Sequence, residues 1–378
     1  MLIKNAGVFT QDGKFVKENI RIENGLFSCI GDCNEDGKII DAEGLLAIPG
    51  LVDIHFHGAV GCDLCDADIE GLKAILDYEL ACGIMAVCPA TMTFPEKKLS
   101  EVIDRVRNVQ DYDRGADIVG INLEGPFINP KKAGAQNTSY ISEGDSGMLR
   151  RLLERGRGLI KLVDVAPEFD SNMCLIDEFK NEVRFSLAHT EADYCIAKEA
   201  FRRGAGQLTH AFNAMNETLH RSPGPVLAAC EEGAYAELIA DGVHIHDAVI
   251  RMAFKLFGDK IILISDSCMA AGLEDGLYSL GGQDVTVEGA KCTLTDKPDT
   301  IAGSNTDLFG CLKHAVTKAQ IPMDKAIKAA TINPARAIGI DDKYGSIALN
   351  LAGNIILMDE DFNIKYIIKD GIIRKHIS

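Results

Sequence analysis

Basic residues are in short supply: 39 lysines and arginines face 56 aspartates and glutamates, for a formal net charge of −17. No run of Lys and Arg interleaved with aromatics relieves that imbalance, so nucleic acid and anionic membranes find no docking surface. An anionic substrate must be met by local positive charge. Long apolar runs are missing too. None approaches the roughly 18 residues of a membrane span, and Met1-Leu2-Ile3-Lys4-Asn5-Ala6-Gly7 lacks the basic start, apolar core and cleavage site of a secretory leader. The 12 cysteines are too scattered for a disulfide framework. Cys62 and Cys65 form a C-x-x-C pair, but the second pair that a structural zinc site needs is absent, so they read as loop thiols. No G-x-G-x-x-G follows an early apolar run, which argues against a doubly wound dinucleotide-binding sheet. With 47% apolar and 25% charged residues, what remains is a globular protein. The expected setting is the cytoplasm, with reduced thiols.

The two chain ends read alike. From Leu2 to about Ala47, short alternating segments are broken by Asp12-Gly13 and Asn24-Gly25, and Asn-Gly between alternating apolar residues is a strong hairpin signal. From about Gly345 onward the pattern returns, with a turn at Asp370-Gly371. Neither end has enough strands to bury a core alone, so the two are expected to meet as a small β-sandwich built from residues 1–47 and 343–378. Between them, in residues 48–342, short apolar runs alternate with helix-compatible segments such as Lys97 to Val109, Ser146 to Arg155 and Asp247 to Phe257. Eight runs follow in order: Leu51 to His57, Ile84 to Pro89, Ile118 to Glu124, Ile160 to Ala166, Val183 to His189, Gln207 to His210, Ala236 to Ala240 and Lys260 to Asp266. Eight β/α units predict a (β/α)8 barrel, whose reactive side chains gather at the C-terminal strand ends.

The polar residues fall where that scheme needs them. Leu51-Val52-Asp53-Ile54-His55-Phe56-His57 ends in two histidines on one face of an extended segment, able to grip one ion. Such a pair alone is equally compatible with ordinary core or surface histidines. Glu124 ends the third run, His189 the fifth, His210 the sixth and Asp266 the eighth. Six nitrogen and oxygen ligands at one mouth are costly to bury unless a metal pairs them. Glu124, His189 and His210 make a three-ligand set with room for water, as in catalytic sites. His55 and His57 are placed to hold a second ion bridged by Glu124 or Asp266. Imidazole and carboxylate suit zinc, iron, manganese or cobalt, with zinc the leading choice. An ion there lowers the pKa of its water to about 7 and so offers hydroxide at neutral pH. Asp266 is the candidate to carry the proton to a leaving group. Its alternatives are a plain ligand or a helix N-cap.

At this point a resemblance enters. The H-x-H of the first run, the single histidines ending the fifth and sixth, the aspartate ending the eighth and the β segments at both termini resemble the amidohydrolase superfamily of metal-dependent barrel hydrolases. More narrowly, Leu123-Glu124-Gly125-Pro126-Phe127, Lys131-Lys132-Ala133-Gly134-Ala135-Gln136, Leu208-Thr209-His210-Ala211-Phe212-Asn213-Ala214-Met215, Asp241-Gly242-Val243-His244, Ser265-Asp266-Ser267 and Ile301-Ala302-Gly303-Ser304 are similar to its amino-sugar-phosphate deacetylases, nearly end to end. The resemblance implies hydrolysis of N-acetyl-D-glucosamine 6-phosphate to D-glucosamine 6-phosphate and acetate, in amino-sugar catabolism and cell-wall recycling, by a homodimer. It implies that Glu124, His189 and His210 are metal ligands and that Asp266 transfers the proton. It also implies that Ala135, Gln136, Asn213, Ala214, Arg221, His244, Ile301, Ala302 and Gly303 line the sugar-phosphate site. The planar fork of Arg221 suits phosphate, and in this group the arginine reaches across the dimer. On its residue type alone, Arg221 equally fits a solvated surface.

Two positions separate members of the group. Some lack the paired histidines and work with one metal, whereas His55 and His57 are kept here. Some carry a histidine where Gln136 stands, to polarise the acetyl carbonyl, so that role is expected to pass to Gln136 or to a second ion. Rival readings are a cyclic amidase or a deaminase of the same superfamily, and a non-catalytic sugar-phosphate-binding protein on the same barrel. Many two-metal relatives bridge their ions with a modified lysine ending the fourth strand. Lys161 begins the fourth run here, and Glu124 supplies the carboxylate. The glycine-rich stretch Gly272 to Gly282 is a candidate lid.

Overall fold

The computed structural model describes residues 1–377. Its two ends meet in one sheet. Leu2–Phe9 pairs antiparallel with Phe15–Glu23, which pairs in turn with Leu26–Gly31 around Asn24-Gly25. Both turn residues take positive φ, 51° and 79°, the backbone twist a tight hairpin demands. At the other end, Ile355–Met358, Ile364–Lys369 and Ile372–His376 form an antiparallel meander. Leu46–Pro49 joins the halves, lying parallel to Leu2–Phe9 and antiparallel to Ile355–Met358, so that eight strands share one sheet. Ile3, Val8, Ile20, Phe27, Ile355 and Ile368 form its own apolar core. Lys369 fastens the sheet to the rest of the molecule: its stem is buried, and its Nζ donates to Gly115 O at 2.9 Å and meets Asp117 Oδ1 at 2.6 Å. Cys29 and Cys33 are joined as a disulfide at the edge of this sheet, a correction to the expectation of reduced thiols throughout; the other ten cysteines are free.

The middle of the chain forms a barrel of eight parallel strands: β1 (Leu51–Asp53), β2 (Ile84–Val87), β3 (Ile121–Leu123), β4 (Ile160–Val165), β5 (Arg184–Leu187), β6 (Gln207–Leu208), β7 (Tyr235–Ile239) and β8 (Ile261–Ile264). Each falls on one of the eight predicted runs, β7 starting one residue early at Tyr235. Every strand is buried on both faces, which is why the runs read as continuously apolar rather than alternating. The ring closes where β8 returns to β1: Asp266 N donates to His55 O at 2.9 Å and His57 N to Ser267 O at 2.7 Å. Helices cover the outside. Four begin on aspartates, Asp68, Asp145, Asp193 and Asp307, whose side chains accept from backbone N–H groups of the first turn. Part of the acidic surplus is thus spent on N-caps, where carboxylates also suit the helix dipole.

Between β8 and the last barrel helices, Gly276–Leu280, Gln283–Glu288, Lys291–Leu294 and Lys297–Ile301 make an antiparallel sheet over the C-terminal mouth. Much of the stretch read as a lid is therefore paired strand. The sheet returns beside Asp266, with Ser304 N donating to Asp266 O and Cys268 N to Ser304 O, both at 2.8 Å. Residues 301–303 are held against the strand ends by those bonds.

Candidate active site

The four histidines and two acids at the strand ends converge. His189 Nε2 lies 2.9 Å and His210 Nε2 3.0 Å from Glu124 Oε1, and the two ring nitrogens are 3.2 Å apart. His57 Nε2 stands 3.3 Å from both Glu124 Oε2 and Asp266 Oδ1, and His55 Nε2 stands 3.7 Å from both Glu124 Oε1 and Asp266 Oδ1. All six side chains are buried. Phe56, wholly buried between the paired histidines, points into the core behind them, as the alternation along the segment requires. His189, His210 and Asp266 take positive φ of 44°, 29° and 50°. Left-handed backbone is costly for residues bearing a side chain, and three such residues at strand ends mark a place where the fold holds side chains against local preference.

A divalent ion fits this cluster. Four ligand atoms about 2.0–2.1 Å from one ion in tetrahedral array lie roughly 3.3 Å apart, close to the observed spacings. Two groups bring one ligand atom per residue within 4.8 Å of one another: Glu124, His189 and His210, and His55, His57 and Glu124. His57 Nδ1 faces Ala90 O at 3.1 Å and His189 Nδ1 faces Lys132 O at 2.8 Å. Each carbonyl needs an N–H, so the Nε2 atoms bring lone pairs to the shared centre. The buried Nε2 of His55 has no hydrogen-bond partner at all. The charges agree. Burial alone would push the Glu124 carboxyl up, but His55, then His189 and His210, hold it well below the usual range. Burial opposes charge on His55, yet Glu237 and Glu124 raise its imidazole well above the ordinary value. Burial likewise disfavours an ionised Asp266, but the hydrogen bond of His57 and the charges of His55, His57 and His210 together hold its carboxyl below the ordinary value. The cluster is built to attract positive charge.

Around it lies a cavity of about 380 Å³, within the usual range for small-molecule sites. Ala135, Gln136, Asn213, Ala214, His244, Ile301 and Gly303 line it, together with Met92, Lys131, Lys132 and Leu280, which sequence reasoning did not single out as site residues. Ala302 is fully buried and does not face the cavity; its N–H donates to Cys292 O, which turns its neighbours inward instead. Arg221 is exposed on the loop before the helix Gly224–Glu231 and lies outside the cavity of its own chain. Gln136 is not free to polarise a substrate: its Nε2 donates to Glu124 Oε2 at 2.7 Å and its Oε1 accepts from Thr93 N at 2.7 Å. It braces the carboxylate. His244 Nδ1 meets Asp241 Oδ2 at 2.7 Å. Burial disfavours the imidazolium, but the hydrogen bond and charge of Asp241, with the charge of Asp266 adding, together raise it above its ordinary value. Lys161 lines a separate cavity near the start of β4, and no lysine ends that strand.

The sequence model of the amidohydrolase family matches residues 46–374. The N-acetylglucosamine-6-phosphate deacetylase of Bacillus subtilis (strain 168) is 32% identical over 372 residues, 96% of this chain and 93% of its own. The N-acetylgalactosamine-6-phosphate deacetylase of Escherichia coli O157:H7 is 29% identical and covers 95% of both chains. The solved structure of an aspartate-to-alanine mutant of N-acetyl-D-glucosamine-6-phosphate deacetylase from Mycobacterium smegmatis, in complex with N-acetyl-D-glucosamine-6-phosphate, matches with a TM-score of 0.92 at 28% identity over 99% of both chains. With the barrel, the converging ligands and a family match spanning most of its length, the chain belongs to the amidohydrolase family.

Proposed function

We infer that this chain hydrolyses the acetamide of N-acetyl-D-glucosamine 6-phosphate, giving D-glucosamine 6-phosphate and acetate. The observation that carries the reading is a single cavity lined both by the buried ligand cluster and by His244, which is raised toward its cationic form beside Asp241. Such a cavity offers a reacting amide the cluster and an anion the imidazole. Near end-to-end similarity to deacetylases of amino-sugar phosphates supports it.

Glu124, His189 and His210 would hold one ion, and His55 and His57, with Glu124 or Asp266, would hold a second; zinc leads iron, manganese and cobalt for this ligand set. When bound, the metal polarises the amide carbonyl and makes a water available as hydroxide near neutral pH. Asp266 takes the water's proton at its carboxylate and hands it to the departing sugar nitrogen, which must leave as an amine. Held below the usual carboxylate range, it is ionised and ready to accept. Gln136 fixes the direction of Glu124, while Asn213, Ala214 and residues 301–303 orient the sugar. His244 meets the phosphate. Binding energy gathered there positions an amide that carries no charge of its own. The chain works in the cytoplasm as a homodimer in which Arg221 of the partner subunit completes the phosphate site, which accounts for its standing outside the cavity of its own chain. The likeness to a galactosamine-series enzyme makes the 4-epimer the second substrate to test.

The test is acetate release by metal-replete protein from N-acetylglucosamine 6-phosphate, its 4-epimer and unphosphorylated N-acetylglucosamine. The expected result is kcat/KM at least a hundredfold higher for the phosphorylated glucosamine derivative than for the free sugar. Preference for the 4-epimer would reassign the sugar, and no release from any of the three would remove the deacetylase reading.

A further inference from the structure

Three of the four clustered imidazoles are steered at Nδ1. His57 and His189 use backbone carbonyls; His55 alone uses a side chain, Glu237 Oε2 at 3.0 Å. Glu237 sits midway along β7, wholly buried, a charged residue inside an otherwise apolar strand. Its carboxylate is pinned at both oxygens: Gln207 Nε2 donates to Oε1 at 2.6 Å, and His210 N donates to Oε2 at 3.2 Å. It cannot swing up to become a ligand itself. No lysine or arginine among the described residues forms an ion pair with it; His55 is its ion-pair partner, and the buried Asp164 is a second acid close enough to feel its charge.

A carboxylate 3.0 Å from Nδ1 needs a hydrogen on that nitrogen, because two lone pairs at that distance repel. With Nδ1 protonated, the lone pair of a neutral ring is at Nε2, which points into the cluster without a hydrogen-bond partner. The 3.7 Å from Nε2 to Glu124 and Asp266 is too long for a hydrogen bond. It is short enough for both atoms to bind one ion. Asn122 Nδ2 is the other polar group near Nδ1, at 3.4 Å, too far to take over the steering.

We propose that Glu237 is a positioning residue that fixes His55 as an Nε2 ligand of the second ion already assigned to His55 and His57. This rests on the metal reading given above. Carboxylate partners of this kind contribute about 10–100-fold to ion affinity. Glu237→Gln keeps the volume and both hydrogen-bonding atoms and removes the charge.

The experiment loads apoprotein of the wild type and of Glu237→Gln with Zn²⁺. It measures ions per chain by elemental analysis and stepwise affinities by chelator competition. Two ions are expected in the wild type, with the second bound 10–100-fold more weakly in Glu237→Gln and the first unaltered. Should the variant fail to fold, ¹⁵N resonances of His55 in the zinc-loaded wild type decide instead, and Nδ1 is expected to carry the proton. Equal affinities for both ions in the variant, a single ion in the wild type, or a proton on Nε2 of His55 would each overturn the proposal. Acetate release is not read here, so two ions of the expected affinities in a chain that leaves the sugar phosphate intact would sink the substrate assignment alone.

Discussion

Replacing Asp266 by asparagine tests the proton-transfer role most directly. The substitution changes little else. Asparagine has the same shape, and it tolerates the left-handed backbone, φ 50°, that position 266 adopts. The side chain is buried with Oδ1 3.3 Å from His57 Nε2 and 3.7 Å from His55 Nε2, a geometry an amide oxygen can keep. What disappears is an atom able to accept a proton at neutral pH. A positioned general acid–base contributes about 10²–10⁴ in rate, which at about 1.4 kcal/mol per decade is roughly 3–5 kcal/mol of barrier. Here one carboxylate serves both transfers, so the loss in kcat is expected at the upper end, near 10⁴, with KM within a few-fold because the phosphate end is untouched. The assay is acetate release at saturating sugar phosphate and saturating metal, with ion content measured on the same sample. Turnover within about threefold of wild type at full ion content would refute the assignment. Loss of an ion that excess metal restores together with activity would make Asp266 a ligand rather than the proton carrier.

Three further outcomes are expected. Asp241→Asn removes the charge that raises His244 toward its cationic form; a hydrogen bond to a charged group is worth about 1.5–3 kcal/mol, so KM for the phosphorylated sugar should rise at least tenfold with kcat little changed, and an unchanged KM would take His244 out of phosphate binding. Gln136→Ala leaves the Thr93 N–H without its acceptor and Glu124 without its brace, a cost of about 1–3 kcal/mol to stability that denaturant titration reads directly. An unchanged kcat in that variant would place Gln136 outside the chemistry. Glu79, wholly buried in the helix Ile69–Ala81, bears on stability instead. Burial, with Asp53 and Asp307 adding, lifts its carboxyl well above the ordinary 4.5. The folded chain then holds a proton that the unfolded chain releases, so from about pH 4.5 up to the folded value stability falls by about 1.4 kcal/mol per pH unit. Glu79→Gln removes that slope: the Tm difference between variant and wild type should shift in the variant's favour as pH rises from about 4.5 toward the folded value, and a constant difference from about pH 4.5 upward would refute the burial argument.

Much of the architecture is local and could be read directly from the chain. Asn24-Gly25 and Asp370-Gly371 turn where they do because those residues accept positive φ, and the apolar runs became barrel strands because a strand buried on both faces has no polar side to show. The ligands were legible for the same reason. His55, His57, Glu124, His189, His210 and Asp266 stand where apolar runs stop, and a (β/α)8 barrel brings those stops to one mouth. What stayed hidden depends on which strands are neighbours. Glu237 was in plain view, a charge inside the run Tyr235 to Ile239, but nothing local says that β7 faces His55 across the barrel interior. Gln136 reads as a group aimed at substrate until the loop carrying it is seen to hand its amide to Glu124 and Thr93. Ala302 turns away from a cavity its neighbours line, and within the stretch from Gly272 to Gly282 the residues Gly276–Leu280 pair into a sheet. Sequence alone determined which residue types end which strands, since turn chemistry and hydrophobic period act over a few residues. Only the closed barrel decided which polar atoms touch, because hydrogen bonds and ion sites form between groups up to about two hundred residues apart in the chain, as His55 and Glu237 are.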